Sequence, residues 1–222
     1  MISIIVPVYR DEAALKNFLA QEYKLKGDYE LLFVIVKEEE YLIKKYKKSK
    51  FLIAPKGRSL QMNYGAKESK GDILLFLHCD SIIEDNILEE VSKGIKRSPA
   101  GCLRLYFDSN HPLMKICGFM SRLRVVSRNI AFGDQGIFLT RDLFNEIGGF
   151  IPIPIMEDYQ LSMDIKSKGI KILQCNSRIV TRSVRFEKGG ILKTMYNMQK
   201  FQKMYRNGED PKKIAERYRN IR

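Results

Sequence analysis

The chain has 222 residues, 45% hydrophobic, 10% aromatic and 29% charged, which suits one compact domain or a domain with an appended arm and excludes a compositionally disordered chain. Lys and Arg outnumber Asp and Glu by 39 to 26, a formal net charge of +13, so an anionic partner is expected: nucleic acid, a phosphate-bearing ligand or an acidic membrane surface. No apolar stretch approaches the ~20 residues of a membrane span, and Met1 runs straight into Ile-Ser-Ile-Ile-Val-Pro with no basic leader, so the chain is expected to be neither secreted nor membrane-spanning.

Three short, nearly unbroken apolar runs open the chain: Ile2–Val8, Leu31–Val36 and Ile73–Leu77. Such runs are too short for buried helices and predict strands covered on both faces, hence a parallel sheet. Between them lie Asp11–Tyr23, with Ala14, Leu15, Phe18 and Leu19 at helical spacing, and Ser59–Ser69, a second helical candidate ending before Gly71. Strand, helix, strand, helix, strand is a βαβ arrangement. Further along, Gly101–Phe107 predicts a strand, Arg141–Ile147 a helix closed by Gly148-Gly149, Asp158–Lys168 a helix stopped by Gly169, and Ile170–Gln174 a late strand.

The tail differs in character. Residues 185–222 contain 11 Lys/Arg and 4 Asp/Glu, so they supply +7 of the +13. Ile191, Met195, Met198, Phe201 and Tyr205 recur at helical steps with Lys193, Lys200, Lys203 and Arg206 between them. This predicts a basic amphipathic helix that either packs its stripe on the domain or lies on an acidic membrane. Cys79, Cys102, Cys117 and Cys175 form no CxxC pair, so neither a zinc site nor a disulfide framework is signalled and a reducing cytosol is expected.

Ligands of open α/β sheets bind beyond the carboxyl ends of the strands. After the first strand come Pro7, Tyr9, Asp11 and Glu12; the carboxylates either start the following helix or meet a ligand. After the third comes His78-Cys79-Asp80, where Asp80 is either a turn residue or a ligand for a hard divalent cation. Glu157-Asp158 opens a predicted helix; the pair either satisfies its N-terminus or takes a proton from an attacking hydroxyl. Lys56-Gly57-Arg58, followed by Gln61 and Asn63, sets two cations where phosphate could be gripped. Neither GxxxxGK[ST] nor GxGxxG occurs, which removes the strongest support for P-loop and dinucleotide readings.

Together these segments resemble a family 2 glycosyltransferase of GT-A fold, and more closely its radical-SAM/selenodomain-associated transferase 2 subgroup. The likeness rests on ISIIVPVYRDE (2–12), GRSLQMNYGAKESKGDILLFLHCDS (57–81), FGDQGIFLTRDLFNEIGGF (132–150) and MEDYQLSMDIKSKG (156–169). It implies a Rossmann-like α/β domain over 1–184, with a donor half of about 1–107 and an acceptor half of about 108–184, followed by a basic helical extension at 185–222. Carried over, the family's roles place Pro7, Tyr9 and Glu12 around the donor nucleotide and Arg58 and Asn63 on its phosphate and ribose side. Asp80, the last carboxylate of a DxD-type motif, would bind Mg²⁺ or Mn²⁺ on the donor diphosphate, Asp134 and Gln135 would face the acceptor, and Asp158 beside Glu157 would supply the base. The implied reaction is inverting, metal-dependent transfer of one sugar from a UDP- or GDP-sugar to an acceptor, lipid-linked or otherwise, by a cytoplasmic protein able to meet the acidic inner membrane face. No nucleic acid is expected.

Three departures stand out. His78 occupies the first DxD-type position; as a metal ligand it would favour Mn²⁺. The second strand runs into Lys37-Glu38-Glu39-Glu40 where the family usually has a VDGGS-like turn whose Asp contacts the base. With no Trp in the chain there is no QxxRW motif, which argues against a processive synthase, and Arg185-Phe186 stands where the subgroup has Arg-Trp. Two other readings stay open: a nucleotide-sugar-binding protein without catalysis, and a basic nucleic-acid-binding module.

Overall fold

In the computed structural model the elements follow in the order β1 (Ile2–Pro7), α1 (Glu12–Leu19), β2 (Tyr29–Ile35), α2 (Tyr41–Lys45), β3 (Lys50–Ile53), α3 (Arg58–Glu68), β4 (Ile73–Phe76), β5 (Ile82–Ile83), α4 (Ile87–Ile95), β6 (Ala100–Phe107), α5 (Pro112–Arg128), β7 (Phe138–Thr140), α6 (Arg141–Glu146), α7 (Glu157–Ser167), β8 (Leu173–Thr181), α8 (Val184–Gly189), α9 (Ile191–Arg206) and α10 (Pro211–Arg219). Residues 1–219 are described; the side chains of Arg185 and Lys188, and the last three residues of the predicted tail, lie outside the described residues.

The strands form one sheet in the order β3-β2-β1-β4-β7-β6-β8-β5. β1 runs parallel to β2 and β4, with Ile4 opposite both Leu31 and Leu75, and β2 runs parallel to β3. β7 is antiparallel to both β4 and β6, and β8 returns parallel to β6. The inferred donor and acceptor halves therefore share one sheet, because β7 is inserted between β4 and β6.

Alternation along β1 divides the core. Ile2, Ile4 and Val6 pack with Leu15 and Phe18 of α1 and Ile87 and Val91 of α4. Ile5 turns to the other face, with Val34, Leu74 and Phe76, and meets Met62 and Ala66 of α3, Leu143 and Phe144 of α6, and Leu161 and Ile165 of α7. Because helices cover both faces, these strands are apolar at nearly every position, Ser3 and Glu30 excepted, which is what made them legible. Truncating a fully buried member such as Phe33 to Ala would cost about 3–5 kcal/mol.

The late strand is displaced from the expected Ile170–Gln174 to Leu173–Thr181. Ile172 is buried in the second core layer instead, and beyond it the strand alternates exposed Asn176 and Arg178 with buried Cys175, Ser177 and Ile179. One solvated face gave it a polar sequence. The tail stripe packs on the domain from its middle onward: Phe201 and Met204 of α9 and Ile214 of α10 join Ile130, Met156 and Tyr159 in a third cluster. The Tyr205 hydroxyl donates to Gln160 Oε1 at 2.7 Å.

Candidate active site

The carboxyl ends of β1 and β4 and the start of α7 bring the predicted residues into two adjoining groups. The first surrounds the turn after β1. Pro7 ends the strand opposite Val34 of β2. Asp11 is the cap of α1, its Oδ1 accepting the Ala14 N–H at 2.9 Å, so the capping reading holds for it. Glu12 turns to α2, 2.5 Å from Lys45 Nζ, and accepts the Tyr41 and Tyr46 hydroxyls at 3.2 and 3.1 Å. Lys45 holds its carboxyl below the usual range, against a smaller opposing effect of desolvation. Tyr9 lies with Lys56 Nζ 4.8 Å and Arg10 5.2 Å from its ring centre, a cation–π arrangement linking the β1 turn to the loop before α3.

Sequence reading did not single out Glu39. It is buried just beyond β2, where Oε1 accepts the Arg10 N–H at 2.6 Å while Oε2 is buried without a partner. It stands in the turn where the family's base-contacting Asp was missing. The signal was a run of charged residues directly after a buried strand.

The second group centres on Arg58, the first residue of α3. Its Nε lies 2.7 Å from Glu157 Oε1 and its Nη2 3.1 Å from Asp158 Oδ2. Met156, at φ +70°, is the left-handed residue that leads into α7, and it sets both carboxylates in the first turn, where the helix dipole favours negative charge. Asp158 Oδ2 also accepts the Gly133 N–H at 2.8 Å, and Oδ1 accepts the Tyr159 N–H at 2.7 Å. Burial pushes the Glu157 carboxyl up, opposed by Arg58 and reinforced by Asp158. Burial also opposes the charge on Arg58, but Glu157, Asp158 and Asp134 together hold it above its usual value.

Asp134 and Gln135 lie in the single turn Gly133–Gln135 between α5 and β7. Asp134 Oδ1 is buried with no hydrogen-bond partner. Burial pushes its carboxyl up to about 6, against the pull of Arg124. Gln135 is buried and braces the turn: its Oε1 accepts Arg124 Nη2 at 2.6 Å and the Phe132 N–H at 3.1 Å. Its Nε2 has no partner.

Asn63 and His78 sit differently from the sequence expectation. Asn63 donates to Phe150 O at 2.7 Å and accepts the Phe150 N–H at 2.9 Å, so its amide clamps the loop before α7 to α3 instead of standing free toward a ribose. His78 Nε2 is buried, and a methyl built on Gly133 would lie 2.9 Å from it and still closer to Arg58 Nη2. Burial, helped by the Arg58 charge, holds the imidazole well below its usual pKa and thus neutral. A cation beside Arg58 would meet a guanidinium, so His78 is not suited to metal ligation and the preference for Mn²⁺ that rested on it falls away.

Asp80 does suit a hard cation. Burial, with Asp11 adding, raises its carboxyl above the usual value against the pull of Arg182 and Arg58. Among the described residues no three or more His, Cys, Asp or Glu gather as a metal cage. An ion held by Asp80 would therefore take its other ligands from oxygens that a diphosphate brings.

Residues 3–148 match the sequence model of glycosyl transferase family 2. No curated protein matches the chain. Among solved structures, Staphylococcus aureus TarS 1-349 superposes with a TM-score of 0.60 at 16% identity, covering 83% of this chain and 61% of its own. The same TarS segment in complex with UDP-GlcNAc gives a TM-score of 0.57 at 17% identity, over 81% of this chain and 55% of that one. The mannosyltransferase PcManGT from Pyrobaculum calidifontis, in complex with GDP-Man and Mn²⁺, gives a TM-score of 0.68 at 17% identity over 99% of this chain and 69% of that one. At these identities the likeness is one of fold, the GT-A arrangement of a mostly parallel sheet flanked by helices. The chain spans about three-fifths of the TarS segment's length.

Proposed function

The chain belongs to glycosyl transferase family 2, and we propose that it moves a single sugar from a nucleoside-diphosphate donor to an acceptor hydroxyl with inversion at the anomeric carbon. The observation that carries this reading is the Asp158 carboxylate, fixed at the start of α7 by the Gly133 amide and Arg58. It stands in one cluster with Asp134 and Arg58, beyond the carboxyl edge of the sheet. A carboxylate so fixed can act as base only on a hydroxyl delivered to it, which is the task in acceptor activation.

In this reading the acceptor lies toward Asp134, and Asp158 takes its hydroxyl proton as the acceptor oxygen attacks the anomeric carbon. The bond from that carbon to the diphosphate oxygen breaks on the opposite face, and the configuration inverts without a covalent intermediate. Arg58 pairs with Glu157 and Asp158; an incoming diphosphate competes for the same guanidinium, and its planar donors suit phosphate oxygens. As the guanidinium turns to the donor, Asp158 is left freer to accept a proton. Tyr9 and Glu39 flank the nucleoside, the partnerless Glu39 Oε2 accepting from a base N–H or a ribose hydroxyl. A divalent cation at Asp80 would supply charge neutralisation for the leaving diphosphate.

The test is nucleotide release from UDP-, GDP-, dTDP- and CMP-sugars with Mg²⁺, Mn²⁺ or EDTA, run on the wild type and Asp158→Asn. Slow, metal-dependent release that falls about 10²–10⁴-fold in the variant is expected. Release that is undiminished in Asp158→Asn would remove the assigned base, and absence of donor binding by calorimetry would remove the transfer reading.

A further inference from the structure

Helix α5 carries its broad apolar face on the outside. Ile116, Phe119, Met120, Leu123 and Val126 recur at three- and four-residue steps and all are exposed, Phe119 by 56% and Val126 by 75%. Only Met114, Gly118 and Val125 are buried on the inner side, the reverse of an ordinary surface helix. α9 touches α5 and adds exposed Leu192 and Tyr196 near its own start. Large apolar side chains exposed together on one helix face mark an interaction surface.

Charge identifies what it meets. Of the four Lys/Arg of α5, Lys115 and Arg128 are exposed while Arg122 and Arg124 turn inward to Leu105 and Gln135; α9 adds exposed Lys193, Lys200, Lys203 and Arg206, and neither helix contains an Asp or Glu. A second copy packed on this face about a two-fold axis would set like charge against like charge. Anionic lipid headgroups complement it, while the apolar side chains enter the acyl boundary. We propose that α5 and the first turns of α9 dock the protein in the plane of an anionic lipid bilayer. No helix among the described residues is long and apolar enough to cross a membrane, so the contact is interfacial. The inner edge of α5 carries Arg124, which holds Gln135 of the candidate site. Docking therefore sets that site beside the bilayer, within reach of a lipid-borne acceptor; this consequence alone rests on the transfer reading.

Vesicle flotation tests the docking itself. The full chain is mixed with phosphatidylcholine vesicles, with or without phosphatidylglycerol, at low and high salt, alongside a Phe119→Gln/Leu123→Gln variant. The wild type is expected to float with the anionic vesicles and at least about tenfold less with neutral ones, and to weaken with salt. The variant should lose at least about tenfold in binding with an unchanged circular dichroism spectrum and melting midpoint. Should that variant melt early, Val126→Gln/Leu192→Gln asks the same of two other exposed positions. The proposal is overturned if the wild type binds no vesicle, if it binds both kinds equally, or if the variants bind as well as it does. It is also overturned if the wild type binds no vesicle and forms a dimer that the substitutions dissociate, which would assign the face to a second copy.

Discussion

Arg58 Nη2 lies 3.1 Å from Asp158 Oδ2, so the cation expected on the donor side is in contact with the residue assigned as base. In the proposed reaction the contact makes the donor and acceptor sides of the site interdependent. A ligand that draws the guanidinium away changes the environment of the base, and a base that gains a proton releases the guanidinium.

Arg58→Ala should therefore damage both stability and turnover. It leaves Glu157 and Asp158 facing each other with no cation. Breaking a fully buried pair costs about 3–5 kcal/mol; with the Arg58 side chain 38% exposed, about 2–3 kcal/mol is expected at neutral pH after solvent screening. Glu157 is already raised by burial, and without Arg58 it rises further. A carboxyl whose folded value exceeds its unfolded one costs nothing below the unfolded value, increasingly more between the two, and its full amount above the folded value, so the defect should shrink as pH falls toward 5. Urea unfolding at pH 5 and pH 7.5 checks this, and a defect of equal size at both would refute the electrostatic account.

Gly133 presents a different dependence, since its Cα faces Arg58 and His78 with no room for a methyl. Gly133→Ala should displace both side chains and weaken the amide contact to Asp158 without touching the core layers. Turnover should fall about 10²-fold while the melting midpoint moves little. A variant with wild-type kinetics would show that the spacing between the Gly133 turn and Arg58 is irrelevant to the reaction.

Much of the scaffold was open to sequence reading because β1, β2 and β4 are covered on both faces, and such strands are almost continuously apolar. β3 and β8 were obscured for the converse reason: Lys50 opens the one and solvated residues alternate along the other. Within the site, the residue types after each strand were readable, but their partners were not. Arg58 meets carboxylates about a hundred positions away, and Asn63 binds the backbone 87 positions away, pairings that exist only once α3 and α7 pack on the same face of the sheet. Glu39 looked like one member of a solvated charge run, and its burial follows from how that turn folds against Arg10. The outward apolar face of α5 has no local signature either, since its periodicity matches that of a helix facing a core.

The metal assignment separates two neighbouring residues. Asp80→Asn should raise the Mg²⁺ or Mn²⁺ concentration needed for half-maximal donor binding at least about tenfold. His78→Gln should leave that concentration unchanged, since its Nε2 faces Gly133 and Arg58. Calorimetric titration of a nucleoside diphosphate at several metal concentrations distinguishes them, and a metal requirement shifted by His78→Gln would restore the imidazole as a ligand.

Asp134 offers a test of the site's electrostatics that needs no substrate. Burial pushes its carboxyl up to about 6, from 3.8 in the unfolded chain, despite the pull of Arg124. Between those values the native state holds a proton that the unfolded state has released, so this group's contribution to stability falls as pH rises from about 4 to about 6 and stays unfavourable above. Asp134→Asn removes the charge and with it this penalty. Wild type and variant should be equally stable near pH 4, and the variant should gain on the order of 1–3 kcal/mol by pH 7. Because Oδ1 has no hydrogen bond to lose, little offsets that gain. Thermal or urea unfolding across pH 4 to 7 checks the divergence; a variant less stable than the wild type at pH 7 would mean that the Arg124 and Arg58 charges depend on Asp134 more than its burial costs.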